Sequence, residues 1–175
     1  MSKKPNTSGG GANTNVNGLS FEKETCLVDA FKNHEQIEVN EKNQIIFNGE
    51  IIGFYTEKHK FYTDFLKPFS INYKDILSKK LLPDSVFVNT KNNTVYVIEK
   101  KYQAGEGSVD EKLQTGPYKK RMFTKLCTDT GYNVEYYYLL NDWFSKEVYR
   151  DVKEYLRESG CRYYTNQIPL HALGV

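Results

Sequence analysis

The chain has 175 residues, of which 39% are hydrophobic and 26% charged, and its net charge is +2 at pH 7. This balance predicts one globular domain with a single core. It excludes a membrane protein, because no apolar run approaches the roughly 18–20 residues that a membrane span needs. The small positive charge permits an anionic partner without requiring one.

The first 17 residues differ from the rest of the chain. They are mostly Gly, Ser, Thr, Asn and Lys, so we expect residues 1–17 to be a flexible tail before a single domain over residues 18–175. The tail lacks the apolar segment of a secretory signal, and the cysteines, Cys26, Cys127 and Cys161, form no CxxC pair. We therefore expect a cytoplasmic protein with reduced thiols.

From residue 18 onward the sequence predicts a mixture of helices and strands. Strands are predicted over residues 36–40, 44–47, 50–55, 85–88, 95–98, 134–140 and 162–165. Helices are predicted over residues 19–32, 73–82 and 145–158, and from a capping box of Ser108 with Glu111 to about Cys127, with an interruption or kink at Gly116-Pro117. Residues 60–66 are ambiguous. This order indicates a mixed α/β domain with a partly antiparallel sheet flanked by helices.

The most informative stretch is the predicted hairpin over residues 83–101. With Asn92–Asn93 as the two turn residues, Asp84 faces Lys101 across the ladder. Side chains alternate between the two faces of a strand, so Glu99 shares that face as a diagonal neighbour of Asp84, within roughly 7–8 Å. Lys100 points to the opposite face. The hairpin therefore brings two carboxylates and one ammonium group to one end of the sheet.

Such a cluster suits metal-dependent hydrolysis of a phosphodiester. Two carboxylates can hold Mg²⁺, and a bound Mg²⁺ stabilises charge on a phosphoryl group and lowers the pKa of a bound water. A nearby lysine can orient that water or neutralise charge that builds up in the transition state. The plainer readings are that Asp84 makes a turn before a strand and that Glu99 and Lys101 form a solvated charge pair.

The pattern resembles the PD-(D/E)XK nuclease superfamily. It consists of Pro83-Asp84, a short strand, a turn, and Glu99-Lys100-Lys101 at the end of an apolar strand. The resemblance implies a restriction-endonuclease-like fold, that is, a mixed-sheet α/β (α+β) domain with an αβββαβ core, to which residues 141–175 add an extra C-terminal helix and strand. The size and motif look most like those of type II restriction endonucleases.

The resemblance also implies roles for individual residues. Asp84 and Glu99 would be metal ligands, and Lys101 would position the attacking water or stabilise the transition state. Glu22, on the first predicted helix, is similar to an acid that many members use to complete the metal site. Gln114, on the predicted helix after the motif, is similar to a glutamine that some members place beside the motif lysine, here Lys101. The implied cofactor is Mg²⁺, with Mn²⁺ as a substitute and Ca²⁺ as an ion that binds without supporting cleavage.

The implied substrate is double-stranded DNA. The candidate DNA contacts are the basic residues in and after the motif: Lys100, Lys112, Lys119, Lys120 and Arg121. A basic helix beside a metal site attracts phosphates, although most charge runs are solvated helix faces. Since cutting both strands takes two active sites related by two-fold symmetry, the resemblance implies a homodimer.

Three functions remain open at this point. The first is a sequence-specific type II restriction enzyme. The second is a phage or DNA-repair nuclease that recognises structure, such as a junction resolvase. The third is a catalytically silent DNA-binding module on the same fold. The complete set of Asp84, Glu99 and Lys101 favours an enzyme over the silent module.

Overall fold

The computed structural model describes residues 18, 20–21, 25–105 and 109–175, and of residues 109 and 110 the backbone only. The strands of the described residues form one seven-stranded sheet, and each of the predicted strands is confirmed. The strands are β1 (Ile37–Val39), β2 (Gln44–Phe47), β3 (Glu50–Thr56), β4 (Ser85–Asn89), β5 (Thr94–Lys101), β6 (Asn133–Leu140) and β7 (Arg162–Thr165).

Helices lie on both faces of this sheet. The α-helices of the described residues are α1 (Leu27–Lys32), α2 (Val109–Leu113), α3 (Gly116–Cys127) and α4 (Arg150–Glu158). The ambiguous stretch at residues 60–66 forms a π-helical turn, Phe61–Leu66. Among the described helices, none has the length and apolar character that crossing a membrane requires.

The strands follow one another across the sheet in chain order. Neighbours from β1 to β5 are antiparallel, whereas β5 with β6 and β6 with β7 are parallel. A parallel pair needs a crossover connection, and helices α2, α3 and α4 lie within those connections. The sequence-based prediction of a mixed α/β fold with a partly antiparallel sheet is therefore confirmed.

The central strands are buried on both faces, as expected for a sheet that is covered twice. On one face, α3 packs over alternate strand residues, and this α3 face includes Val86, Val97, Tyr136, Tyr138, Phe123 and Leu126. On the other face, α1 and the C-terminal segment pack over the intervening residues, and this α1 face includes Phe31, Phe87, Ile98, Tyr137 and Leu173. The alternation fixes which side chains of β4 and β5 share a face.

The β4–β5 hairpin has a different register from the predicted one. Asn89 pairs with Thr94, so the loop has the four residues 90–93 rather than Asn92–Asn93 alone. The Asn89 side chain explains this, because its Oδ1 accepts hydrogen bonds from the backbone N–H of Lys91 at 2.9 Å and of Asn92 at 3.2 Å. The shift is two residues, so every side chain keeps its predicted face.

Two of the predicted helices at the ends of the domain are wrong in extent. Residues 18, 20 and 21 are helical, but Cys26 is extended, with φ −61° and ψ 121°, so α1 begins only at Leu27 rather than at Leu19. Near the C-terminus, Lys146 is extended with ψ 150°, and α4 begins at Arg150 rather than at Ser145. The proposed Ser108 cap lies outside the described residues.

The predicted helix over residues 73–82 is also wrong, since only Tyr73–Asp75 forms a short 3₁₀ turn. The backbone of Leu81 is engaged elsewhere: the Tyr62 hydroxyl donates to the Leu81 carbonyl at 2.5 Å, and the Leu81 N–H lies 3.2 Å from the same hydroxyl oxygen. By contrast, the break at Gly116-Pro117 is confirmed, because α2 ends at Leu113 and α3 starts at Gly116.

Gly53 allows β3 and β4 to approach each other, and this yields a test of the packing. A Cβ at residue 53 would lie 2.0 Å from the Val88 carbonyl oxygen and 2.9 Å from a ring carbon of Phe87. We expect Gly53→Ala to lower the free energy of unfolding by about 3 kcal/mol, as overpacking against backbone does. Gly105→Ala is the matched control, because no atom of the described residues lies within 4 Å of its added Cβ. Equal unfolding midpoints in urea for the two variants would contradict this account.

Candidate active site

A buried carboxylate lies at the centre of a polar cluster on the α3 face. Glu99, in β5, is only 5% exposed. Its Oε1 accepts hydrogen bonds from Lys101 Nζ at 2.7 Å and from Lys119 Nζ at 2.5 Å. The Tyr136 hydroxyl donates to Oε2 at 3.2 Å. These three donors compensate the loss of water around the carboxylate, which would otherwise be strongly unfavourable.

Asp84 joins this cluster from the neighbouring strand. It directly precedes β4, and its Oδ2 accepts a hydrogen bond from the backbone N–H of Lys100 at 2.9 Å. Ser85 pairs with Ile98, so continuing the register places Asp84 across from Glu99, closer than the diagonal position predicted from the sequence. The two acidic residues therefore lie on neighbouring strands at one end of the hairpin.

The charges of the cluster determine its protonation. Burial alone raises the pKa of Glu99, but the charges and hydrogen bonds of Lys101 and Lys119 outweigh burial and hold this pKa below its ordinary value of 4.5. Glu99 is therefore an anion at neutral pH. Burial raises the pKa of Tyr136 far above its usual range, and the charges of Glu99 and Asp84 add to the effect. Tyr136 is therefore a neutral donor.

Side chains of β5 alternate between the two faces of the sheet, and this places Glu99 and Lys101 on the same face. Glu99 and Lys101 are two residues apart and share the α3 face, while Lys100 lies on the α1 face. Tyr136 comes from β6, whose parallel register pairs it with Val97, two residues before Glu99. The site is thus built on the buried centre of the sheet, where strand pairing fixes each backbone position.

Helix α3 contributes Lys119 because the helix starts very close to the sheet. A Cβ at Gly116 would lie 2.7 Å from Cε2 of Tyr138 and 3.2 Å from Cδ2 of Leu156. Glycine is therefore the residue that fits between α3 and β6 without displacing either. Lys119 follows three residues later, in the first turn of α3, and its ammonium reaches Glu99.

A comparison with protein families agrees with this geometry. The model of the PD-(D/E)XK nuclease superfamily domain matches residues 20–132, more than half of the chain, and the matched range contains Asp84, Glu99, Lys101 and Lys119. The chain belongs to the PD-(D/E)XK nuclease superfamily. No curated protein and no solved structure matches it.

The superfamily residues predicted from the sequence are only partly brought together. Lys101 contacts Glu99, and Asp84 contacts the backbone N–H of the intervening Lys100, so the three lie at one end of the hairpin while their roles stay predictions. Glu22 lies outside the described residues, so its role stays a prediction. Gln114 is exposed in the turn between α2 and α3 rather than on a helix, and among the described residues no hydrogen bond joins it to Lys101. The region after the motif instead contributes Lys119.

The basic residues predicted to contact DNA occupy different environments. Lys112 and Arg121 are exposed on α2 and α3. Lys120 is half-buried, and its Nζ donates to the backbone carbonyl of Gly160 at 2.5 Å. Lys100 lines a cavity of about 390 Å³ on the α1 face, away from Glu99. Lys119 contacts the buried carboxylate.

Sequence reasoning missed two members of the site. Lys119 was counted as one of several basic residues on a helix, and nothing in the spacing distinguishes it from Lys120. Tyr136 is one of three consecutive tyrosines in β6, and only the parallel register with β5 selects it. The break at Gly116-Pro117 could have identified Lys119, because it marks where α3 begins and so shows that Lys119 lies in the first turn of the helix.

The donor set of this nuclease fits a hard divalent cation. Asp84 and Glu99 offer carboxylate oxygens, the ligands that Mg²⁺ prefers, and Mg²⁺ is commonly held by one or two carboxylates with retained waters. Within the described residues there is no group of three or more His, Cys, Asp or Glu side chains that could hold a metal. The two carboxylates of this cluster, Asp84 and Glu99, are the residues that would hold such an ion.

The hydrogen bond between Tyr136 and Glu99 can be tested by a double-mutant cycle. We expect Tyr136→Phe to lower the free energy of unfolding by about 1–2 kcal/mol, because it removes a donor to a buried charge. In a Glu99→Gln background the same change should have a smaller effect, with a coupling energy of about 1 kcal/mol measured by urea unfolding.

Tyr137→Phe is the matched control for this cycle. The Tyr137 hydroxyl donates to the Ala172 carbonyl at 2.8 Å, on the α1 face. Its loss should therefore add to the effect of Glu99→Gln without coupling. Equal coupling energies for Tyr136 and Tyr137 would show that the Tyr136–Glu99 bond contributes nothing specific.

Proposed function

We propose that this nuclease is a Mg²⁺-dependent endonuclease that hydrolyses phosphodiester bonds of double-stranded DNA, with the sequence specificity of a type II restriction enzyme. The observation that carries the proposal is the convergence of Asp84, Glu99 and Lys101 on one face at the end of the β4–β5 hairpin. Membership of the superfamily supports the reaction class.

In this proposal the two carboxylates hold the cofactor. Asp84 and Glu99 bind the ion, and Glu22 completes or orders its site. When bound, Mg²⁺ supplies charge stabilisation at the phosphoryl oxygens and lowers the pKa of a ligand water. Mn²⁺ replaces Mg²⁺, because it accepts the same hard oxygen donors. Ca²⁺ would be held by the same carboxylates and would support DNA binding without cleavage, because it accepts a looser geometry than Mg²⁺.

Lys101 acts beside these carboxylates. Its ammonium lies 2.7 Å from Glu99 Oε1, and its side chain is 18% exposed, so it can contact both the carboxylate and an incoming water or phosphate oxygen. We assign it the orientation of the attacking water and the neutralisation of charge in the transition state. Gln114, which is exposed in the turn before α3, would support Lys101.

The substrate would lie across the basic surface of α2 and α3. Lys112 and Arg121 are exposed there, and Lys119 and Lys120 are half-buried beside them. Such a surface would bind phosphates without reading sequence. Lys100 lies at the same end of β5 but on the α1 face. It would contact DNA phosphates from that side of the sheet.

We also propose the assembly and setting of the enzyme. One site cuts one strand, so a homodimer with two-fold symmetry would cut both strands of a duplex. The nuclease domain comprises residues 18–175, preceded by the tail of residues 1–17, and the protein acts in the cytoplasm without a membrane partner.

One assay distinguishes the proposed enzyme from its rivals. Plasmid DNA and four-way junction DNA are each incubated with the full chain and Mg²⁺. Discrete plasmid fragments support a sequence-specific endonuclease. Cuts confined to the junction indicate a structure-specific nuclease, and a smear indicates cleavage without specificity. Binding without any cleavage would indicate a silent DNA-binding module.

The site assignment predicts the behaviour of single variants. Asp84→Ala, Glu99→Gln and Lys101→Ala should each reduce cleavage at least about a hundredfold, while the metal-independent DNA binding measured in EDTA stays largely intact. The control is Lys91→Ala, because Lys91 lies in the loop at the opposite end of the same hairpin and pairs with Glu50. If any of the three variants turned over DNA at the rate of the control, the assignment of that residue would be wrong.

Metal dependence is predicted separately. Cleavage should disappear in excess EDTA and return with Mg²⁺ or Mn²⁺, because the carboxylate pair alone cannot activate a water. Ca²⁺ should give a gel shift with DNA but no product. Activity that persists in excess EDTA would exclude metal catalysis by this site.

A further inference from the structure

The single negative charge of Glu99 is in contact with two positively charged side chains. Both Lys101 and Lys119 donate to the same oxygen, Oε1, at 2.7 Å and 2.5 Å. The side chain of Glu99 is 6% exposed, while those of the two lysines are 18% and 26% exposed. Together with Asp84, the described charges of this cluster are two negative and two positive and sum to zero.

The two lysines differ in how they reach this oxygen. Lys101 lies two residues from Glu99 on the same strand, so its Cα is fixed by the same ladder. Lys119 comes from α3 and contacts Glu99 through the end of a long side chain. Of the two, Lys119 has the more exposed side chain and can leave the carboxylate by rotation of its side-chain bonds, without movement of the backbone.

A divalent cation cannot join two ammonium groups on the one oxygen Glu99 Oε1. The cation would bind a carboxylate oxygen at about 2.0–2.1 Å, and a third positive group at hydrogen-bond distance from that oxygen would be repelled strongly in a site this buried. Oε1 lies beside the partly exposed lysines, whereas Oε2 faces the hydroxyl of the buried Tyr136. A cation that enters from solvent therefore meets Oε1, and its binding there requires one of the two ammonium groups to move away. Lys119 has the more exposed side chain of the two and comes from a separate element, so it is the one that we expect to move.

We propose that Lys119 and the divalent cation compete for Glu99, and that the cation displaces Lys119 onto a phosphate of the DNA. This inference rests on the proposed function and adds to it. Lys119 would bind phosphate only when the metal is present, so that metal binding and DNA binding favour each other by reciprocal coupling. The neutral cluster would become one in which Asp84, Glu99, Lys101 and the cation carry a net charge of +1, with the Lys119 ammonium released toward the DNA.

The first test measures the affinity of the full chain for Ca²⁺ by calorimetry in the absence of DNA. Lys119→Met keeps most of the apolar stem but removes the charge, and it should tighten Ca²⁺ binding at least about tenfold because the competing ammonium is gone. Lys120→Met is the matched control, since Lys120 contacts Gly160 instead, and its Ca²⁺ affinity should equal that of the unmodified chain. Asp84→Asn should abolish the heat, which assigns the binding to this site.

The second test measures how DNA affinity depends on salt, with a short duplex as the probe. In Ca²⁺, Lys119→Met should lower the magnitude of the slope of log K against log salt by about 0.9, the value for one phosphate contact. In EDTA the slope should be unchanged, because Lys119 is then held by Glu99. Lys120→Met should give the same difference from the unmodified chain in both conditions.

These outcomes separate the inference from the proposed function. If the unmodified chain binds Ca²⁺ through Asp84 and Lys119→Met gives no gain in affinity, the competition is refuted while metal-dependent cleavage stands. If the unmodified chain binds neither Ca²⁺ nor Mg²⁺, the metal-dependent function and the competition are refuted together. Lys119→Gln serves as a second neutral variant and should reproduce the gain, and melting curves confirm that each variant is folded.

Discussion

The structure depends on keeping one carboxylate ionised inside a closely packed sheet. Glu99 lies in a central strand, 5% exposed, with apolar residues before it and helix α3 above it. A buried carboxylate is tolerated only where cations and hydrogen-bond donors replace the lost water. Three side chains supply them, each from a different element: Lys101 from β5 itself, Lys119 from α3 and Tyr136 from β6.

This requirement explains features that otherwise look unrelated. Gly116 lets α3 approach Tyr138 closely enough for Lys119 to reach Glu99. The parallel pairing of β5 with β6 brings the Tyr136 hydroxyl to the second carboxylate oxygen. The β4–β5 register brings Asp84 next to the same point, where the Lys100 N–H holds it. Backbone pairing and helix packing thus define the site before any cofactor binds, and such preorganisation is what catalysis by charge stabilisation requires.

The sequence predicted the strands, and the shared face of Asp84, Glu99 and Lys101, for identifiable reasons. Asp84, Glu99 and Lys101 were placed on one face because strand side chains alternate, and alternation survives a register error of two residues. The error itself came from Asn89, whose side chain closes a four-residue loop in place of the tight turn expected from Asn92–Asn93. The local sequence pattern therefore predicts which face of the sheet a side chain occupies more securely than which residue it opposes on the neighbouring strand.

Other elements depend on contacts that are distant in the chain, and these were not predictable. The segment at residues 73–82 stays mostly irregular because the Tyr62 hydroxyl binds the Leu81 backbone, 19 residues away. The Lys119–Glu99 pair depends on how a crossover helix packs, and Tyr136 was indistinguishable from its two tyrosine neighbours until β6 was paired with β5. In each case tertiary packing overrode or completed the local signal.

The central claim is that Glu99 is a charged ligand shared between lysines and a divalent cation. It is tested most directly by anomalous diffraction from crystals of the full chain grown with Mn²⁺. The account predicts a Mn²⁺ peak in contact with carboxylate oxygens of both Asp84 and Glu99, with the Lys119 ammonium no longer on Glu99 Oε1. A Mn²⁺ peak away from these carboxylates, with both lysines still on Glu99, would contradict it.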